Sequence, residues 1–339
     1  MNEKKILGGE FRIETDALAS EIKQDISPGY SLGRSCLYAI LDAIKPCVEE
    51  VLLPDYSCSS VAEVPLRIGL PFKHYHIEPT LLPDTDHLKG LIKSSNEKLA
   101  IILISYFGIV DLENVIKDIR SNYPEIIIIV DDVQNFYGFG KQSDFDYCFT
   151  SYRKWFAVPD GADILQKAGM PKVQLFDRQG DYVIYKAAGN ILKNHVDMIG
   201  DSLSLELLEK GENQMDEEYR YGCSDIGRNL FQRIDLNSVA VKRKRNAKIL
   251  HDGLERLGIR HFYNPERTPL FVPIVIQNRD EIRKALFAEN IFAPIHWPVK
   301  DTDTQGNNEL YNAELSLICD QRYDKEDMER MLSGIKKAV

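Results

Sequence analysis

The chain has little of what marks secreted, membrane or metal-built proteins. Only six of its 339 residues are cysteine, and Cys36, Cys47, Cys58, Cys148, Cys223 and Cys319 are scattered without a CxxC pair. That spacing argues against a disulfide framework or a zinc site and predicts reduced thiols in a cytoplasm. No apolar run approaches the roughly 20 residues that a membrane-spanning helix needs. The longest useful one, Ile126–Val130, is strand-sized. The opening stretch from Met1 to Asp16 lacks an apolar core of signal-peptide length, so no secretory leader is expected. Basic residues are outnumbered, 42 Lys+Arg against 52 Asp+Glu, for a net charge of −10. A generic nucleic-acid binder is therefore not expected, because that affinity rests on neutralising phosphates. Internal repeats and low-complexity tracts are also missing, which sets aside solenoids and disordered linkers.

What is present is an ordinary globular balance, 44% hydrophobic and 28% charged. At about 150 residues per domain the length suggests two domains. In the first half, short apolar runs at 51–54, 100–105, 126–130 and 146–151 predict strands. Their continuity is that of strands buried on both faces, as in a parallel sheet covered by helices. Helical patterns at 35–44, 59–69 (weakened by Pro65) and 112–123 lie between them, and this alternation predicts an α/β layered fold. The second half reads as helical at 203–212 and 226–257, a strand at 270–276, and helices at 279–290 and 324–339. The expected division is a large domain over 1–205 and a smaller α+β domain over 206–339. The basic run Lys242–Arg245 predicts a solvated helix face.

In open parallel sheets, ligand groups collect where strands end and helices begin. Three such junctions carry chemistry. Gly33-Arg34-Ser35 opens a helix, and glycine at a helix start lets backbone N–H groups approach an anion. Asp131 and Gln134 follow the Ile126–Val130 run, where a carboxylate is costly unless it meets a cation. Lys154 sits among aromatics just after a strand, a setting in which an amine can lose its proton and act as a nucleophile. Each alone has a plainer explanation: a helix start, a cap, a surface lysine. Together they form an anion cup, an acid and an amine, the set that pyridoxal 5′-phosphate requires.

The motifs resemble the fold-type I pyridoxal-phosphate enzymes, specifically the DegT/DnrJ/StrS-type sugar aminotransferases, over nearly the whole chain. Gly33–Leu41 is similar to the family's phosphate turn, and Leu52–Val61 to its segment passing under the cofactor ring. Asp131–Gly138 resembles the strand end that places an acid at the pyridine nitrogen (Asp131) and an amide near the ring hydroxyl (Gln134). Ser151–Ala162 is similar to the lysine segment, with Lys154 as its lysine and Ser151 as the serine before it. The resemblance implies a cytoplasmic homodimer with glutamate or glutamine as amino donor and a nucleotide-linked keto-sugar as acceptor. It departs from the pattern at Cys58, which occupies the usually aromatic ring-stacking position. Arg34 replaces a small hydroxyl residue and would bind phosphate or the donor's carboxylate. Arg220 aligns with the loop that reaches the partner subunit's phosphate.

Two other readings of this scaffold stay open, a lyase or sugar dehydratase and a non-catalytic regulator. Retained Lys154 counts against the dehydratases, which carry histidine there. His74 and His76 are expected to be structural, with no metal site. His296-Trp297 either lines a substrate pocket or packs as a loop aromatic.

Overall fold

Runs of β-branched and leucine residues fill the central strands because both faces of each are covered. In the computed structural model, which describes residues 5–14, 16, 20–196, 200–299 and 305–339, the chain opens with a short strand β1 (Leu7–Gly8). The main sheet follows: β2 (Glu50–Pro54), β3 (Phe72–Tyr75), β4 (Leu99–Ile104), β5 (Ile127–Asp131), β6 (Tyr147–Ser151) and β7 (Ala162–Gln166). Its spatial order is β3-β2-β4-β5-β6-β7. All neighbours run parallel except β7, which returns antiparallel to β6 at the edge. Every residue of β2, β4, β5 and β6 is buried. The predicted strands match within a residue or two, and the layered α/β architecture is as expected. Residues 1–4 of the opening stretch lie outside the described residues.

Helices Gly33–Ile44, Ser59–Ile68, Thr85–Ser94 and Glu113–Asn122 connect the strands. Thr85–Ser94 escaped the sequence reading, although Asp84 caps it by accepting from the N–H groups of Asp86 and His87. Because β2, β4, β5 and β6 are parallel, their carboxyl ends share one edge of the sheet. That edge holds the site described below.

The remaining strands are β8 (Phe271–Val275), β9 (Ile291–Phe292) and β10 (Glu314–Ile318). β8 and β10 pair antiparallel, while β9 pairs in parallel with β1, so the N-terminal segment joins the C-terminal part of the fold. A second core gathers Leu7 with Leu250, Leu254, Val272, Ile282, Leu315 and Met331. The boundary expected near residue 205 falls inside the helix Ser202–Glu217, which packs along the helix Tyr182–Leu192. Among the described residues, no helix is long and apolar enough to cross a membrane.

Two expectations need correction. The helix predicted over 226–257 is two helices, Asp225–Phe231 and Leu236–Leu257. The break comes at Asp235, whose side chain accepts from the Ser238 N–H and so starts the second helix. The basic run is not wholly solvated either. Arg243 is only 1% exposed. Its guanidinium stacks on the Trp155 ring and donates to the carbonyls of Leu270 and Trp155 at 3.0 and 3.3 Å. Lys242 and Lys244 do face solvent.

Arg243→Ala takes the guanidinium donor from the buried Leu270 carbonyl and leaves a cavity beside Trp155, and should cost about 3 kcal/mol in urea denaturation. Lys242→Ala, one residue away, should stay within about 0.5 kcal/mol of the parent. Equal losses would show that the burial of Arg243 contributes nothing.

Candidate active site

The parallel strand ends converge on a cleft of about 700 Å³, its mouth included. Gly33, Arg34, Cys58, Asp131, Gln134, Ser151 and Lys154 all line it, joined by Arg153 and Trp297. Chain segments 120 residues apart in sequence meet there because each follows its own strand or opens the first helix.

Gly33 is the first residue of its helix, and Leu32 before it offers no side-chain cap. First-turn N–H groups have no carbonyl one turn back, which leaves those of Gly33 and Arg34 for a ligand or water. A Cβ at Gly33 would come within 2.7 Å of Val133 Cγ2, so a side chain there would crowd the cleft. Arg34 forms an ion pair with Asp216 and stands over the Tyr219 ring at 5.4 Å. Ser35 is fully buried, and its hydroxyl lies 3.0 Å from that of Ser31; it does not line the cleft. Arg220 lies outside the cleft as well, 60% exposed and paired with Glu218 at 2.8 Å.

Alternation along β5 separates two neighbouring carboxylates. Asp132 turns to the opposite side, where it accepts from Asn135, Gln142 and Cys148 side chains and the Gly140 N–H. Asp131 turns to the cleft and accepts from the Val133 N–H at 2.9 Å. Burial pushes its carboxyl up to about 7, against the pull of that hydrogen bond and of Lys154. Gln134, 2% exposed, accepts from the Phe107 N–H at 2.8 Å through Oε1, while its Nε2 is buried without a partner among the described residues.

Lys154 lies in the turn after β6. Burial lowers its ammonium below the usual lysine range; Cys58 and Asp131 oppose that shift, and the Arg153 and Arg34 charges reinforce it. Cys58 directly precedes the helix Ser59–Ile68 without a side-chain cap, and its side chain lines this wall of the cleft.

The sequence reading missed the network behind Lys154. Arg153 pairs with Glu212 at 3.1 Å, and buried Lys186 joins Glu212 at 2.7 Å to Glu10 at 2.9 Å. Burial alone would raise Glu212, yet Arg153 and Lys186 hold it at about 2. The only hint in the sequence is the unusual Arg-Lys pair after a strand. Both halves of His296-Trp297 are used: Trp297 faces the cleft and packs edge-on to Tyr56, while His296 bonds Ser316 Oγ at 2.8 Å. Desolvation and the Lys154 charge pull His296 down to about 3. His74 and His76 lie apart from the cleft, on the Pro54 carbonyl at 3.2 Å and on Asp55 at 2.7 Å.

The raised Asp131 gives a sign to the pH dependence. The folded chain keeps this proton up to about 7, whereas the unfolded chain loses it near 4. The stability tied to the neutral form is complete below about pH 4 and is lost as pH rises through 7. Asp131→Asn, neutral throughout, should melt above the parent at about pH 8.5 in protein free of small molecules, by up to roughly 4 kcal/mol. The gap should close towards about pH 4. A gap that does not change with pH would place Asp131 in an ordinary aqueous setting.

No protein-family model and no curated protein matches the sequence. Solved structures do match. A Streptococcus pneumoniae protein assigned as a sugar aminotransferase, in its apo form, is 13% identical over 98% of this chain and 98% of its own, with a TM-score of 0.72. DesI, solved in the presence of its TDP-sugar product, is 14% identical over 99% and 93%, with a TM-score of 0.70. A DegT/DnrJ/EryC1/StrS aminotransferase from Brucella abortus is 16% identical over 95% and 87%, with a TM-score of 0.64. The chain thus has the α/β fold of the fold-type I aminotransferases, as its motifs imply.

Proposed function

We propose that the chain is a pyridoxal-phosphate-dependent aminotransferase that moves an amino group from glutamate to a nucleotide-linked keto-sugar, acting as a cytoplasmic homodimer. The observation that carries this reading is the pairing of Asp131 with Gln134 in the Lys154 cleft. One is a buried carboxylate whose proton is held to about pH 7, and the other a buried amide with an idle Nε2. A ring with a basic nitrogen and a ring oxygen meets both needs.

The residues fit the cofactor in each part. Asp131 would sit at the pyridine nitrogen, where a positive charge offsets its desolvation and returns it to the ionised form. Gln134 Nε2 would donate to the ring oxygen. The open helix start at Gly33, with Arg34, suits the phosphate. Ser151 borders the same cleft and offers a hydroxyl, and Cys58 would stand at the ring face. Bound there, the cofactor supplies an electron sink for a carbanion formed beside the transferred nitrogen.

The chain's own groups do the rest. Lys154, with its ammonium destabilised by burial, loses its proton more readily than a lysine in water and so presents a basic Nζ. It takes a proton from the donor's α-carbon and returns it across the cleft as general base and then acid. Asp131 holds the compensating negative charge throughout. Arg34 and Arg153 give the cleft the cations that an amino-acid carboxylate or a nucleotide diphosphate requires. Trp297 forms part of the cleft wall and is backed by the buried Tyr56 ring. DesI was solved with a TDP-sugar product, which supports the acceptor class. Arg220, exposed and outside its own chain's cleft, supports a homodimer in which it reaches the partner's phosphate.

Purified protein incubated with pyridoxal phosphate should develop a visible absorption band that bleaches on adding glutamate. Lys154→Ala should abolish the band and the turnover, and Asp131→Ala should lower turnover by about a hundredfold or more. Undiminished turnover in Lys154→Ala would overturn the assignment. A band indifferent to glutamate would replace the donor or favour a lyase.

A further inference from the structure

Near the C-terminal end of the helix Leu236–Leu257, three metal-type ligands face one point. His251 and Glu255 are four residues apart, so they share a helix face. Gly258, in the left-handed conformation at φ 66°, ends the helix and turns the chain back. His261 follows on a bridge to Ile274 and returns its ring to that face. His251 Nδ1 is 2.8 Å from His261 Nε2, and a Glu255 carboxylate oxygen is 3.7 Å from the same nitrogen. All three ligand atoms lie within 4.8 Å of one another. A tetrahedral ion with bonds of about 2.0–2.1 Å sets its ligands roughly 3.3 Å apart, which falls inside this spread.

The rings are held in place before any ion arrives. His261 Nδ1 is 2.8 Å from the Ile259 carbonyl, which can only accept. The neutral ring therefore carries its proton on Nδ1 and presents a lone pair at Nε2, the orientation that outer hydrogen bonds impose on metal-binding histidines. Its side chain is 4% exposed, so the protein fixes this ring. His251 stacks on Tyr263 with centroids 4.3 Å apart and planes at 18°. As the rings stand, His251 Nδ1–H donates to His261 Nε2. Moving that proton to His251 Nε2 frees both lone pairs, with no net proton released. The helix C-terminus adds the negative end of its dipole to the Glu255 charge.

We propose that His251, Glu255 and His261 bind one zinc-type transition-metal cation, clamping the end of this helix to the segment that pairs with β8. Two imidazoles and one carboxylate form a borderline donor set that suits Zn²⁺ and not Ca²⁺ or Mg²⁺, which take oxygen ligands. None of the three residues lines the Lys154 cleft, so the clamp is structural and independent of the proposed reaction.

The test is calorimetric titration of ZnCl₂ into the full chain after chelator treatment and dialysis, with thermal melts in parallel. The expected result is one zinc ion per chain, a raised Tm with zinc, and affinity lowered at least about tenfold in both His251→Ala and Glu255→Gln. Glu255→Gln keeps both rings, so it reports on the metal even if His251→Ala loses stability with its Tyr263 contact. No zinc uptake by the parent, or uptake equal in parent and Glu255→Gln, would overturn the site and, in the second case, assign the zinc to other ligands. Magnesium replacing zinc in the titration should give no heat and no shift in Tm; binding equal to zinc would also overturn it.

Discussion

Parallel pairing of β2, β4, β5 and β6 is the constraint on which the site depends. A parallel ladder sends every strand's carboxyl end to the same edge, and the chain must then leave that edge through a turn and a helix. Cys58, Asp131, Gln134, Ser151 and Lys154 are neighbours for that reason alone, though they come from segments far apart in sequence. The same topology buries the strands on both faces, so the turns at their ends are the nearest places where polar chemistry can enter the core. A single antiparallel strand in the middle of this sheet would divide the set between its two edges. The one antiparallel neighbour, β7, lies at the border and takes nothing from the cleft.

Desolvation acts on the two central groups in opposite senses. It raises the Asp131 carboxyl and lowers the Lys154 ammonium, because in both cases the charged form loses water. Their mutual attraction only partly restores the charges. The result is an acid pushed up to about 7 and an amine whose ammonium is less stable than in water. Arg153 strengthens the effect on Lys154, and Arg153 stays next to the amine because Glu212, with Lys186 and Glu10 behind it, holds the guanidinium in place. The charge state of Nζ therefore depends on an ion network of which Arg153 alone lines the cleft.

Much of this was legible in the sequence where one physical rule governs a short stretch. Continuous apolar runs marked β2, β4, β5 and β6, and the polar residues directly after them marked the cleft. Legibility failed where tertiary contacts override local pattern. Arg243 reads as part of a solvated basic run, yet the Trp155 ring and two carbonyls draw it inside while Lys242 stays out. Asp235 reads as one more polar residue in a long helix, yet its cap splits that helix in two. Lys186 and Glu10 are 176 residues apart, and no spacing rule links them. Ser35 was expected among the cofactor contacts from its place in the phosphate turn, but the helix directs its hydroxyl to Ser31.

The C-terminal part of the fold reaches the site through the lysine turn. The Trp155 carbonyl, one residue beyond Lys154, accepts from Arg243 on the helix Leu236–Leu257 and from Gln321 Nε2 at 2.8 Å just after β10. The Trp155 indole donates in turn to the Val133 carbonyl at 3.0 Å, between Asp131 and Gln134. One side chain thus binds the lysine turn to the acid-bearing turn, and its own backbone binds both to the C-terminal part of the fold. Arg243 and Gln321 thereby hold Trp155, and through it the two turns that carry Lys154 and Asp131. The packing of the helix Leu236–Leu257 and of the segment after β10 against Trp155 is thus a determinant of the geometry of the site.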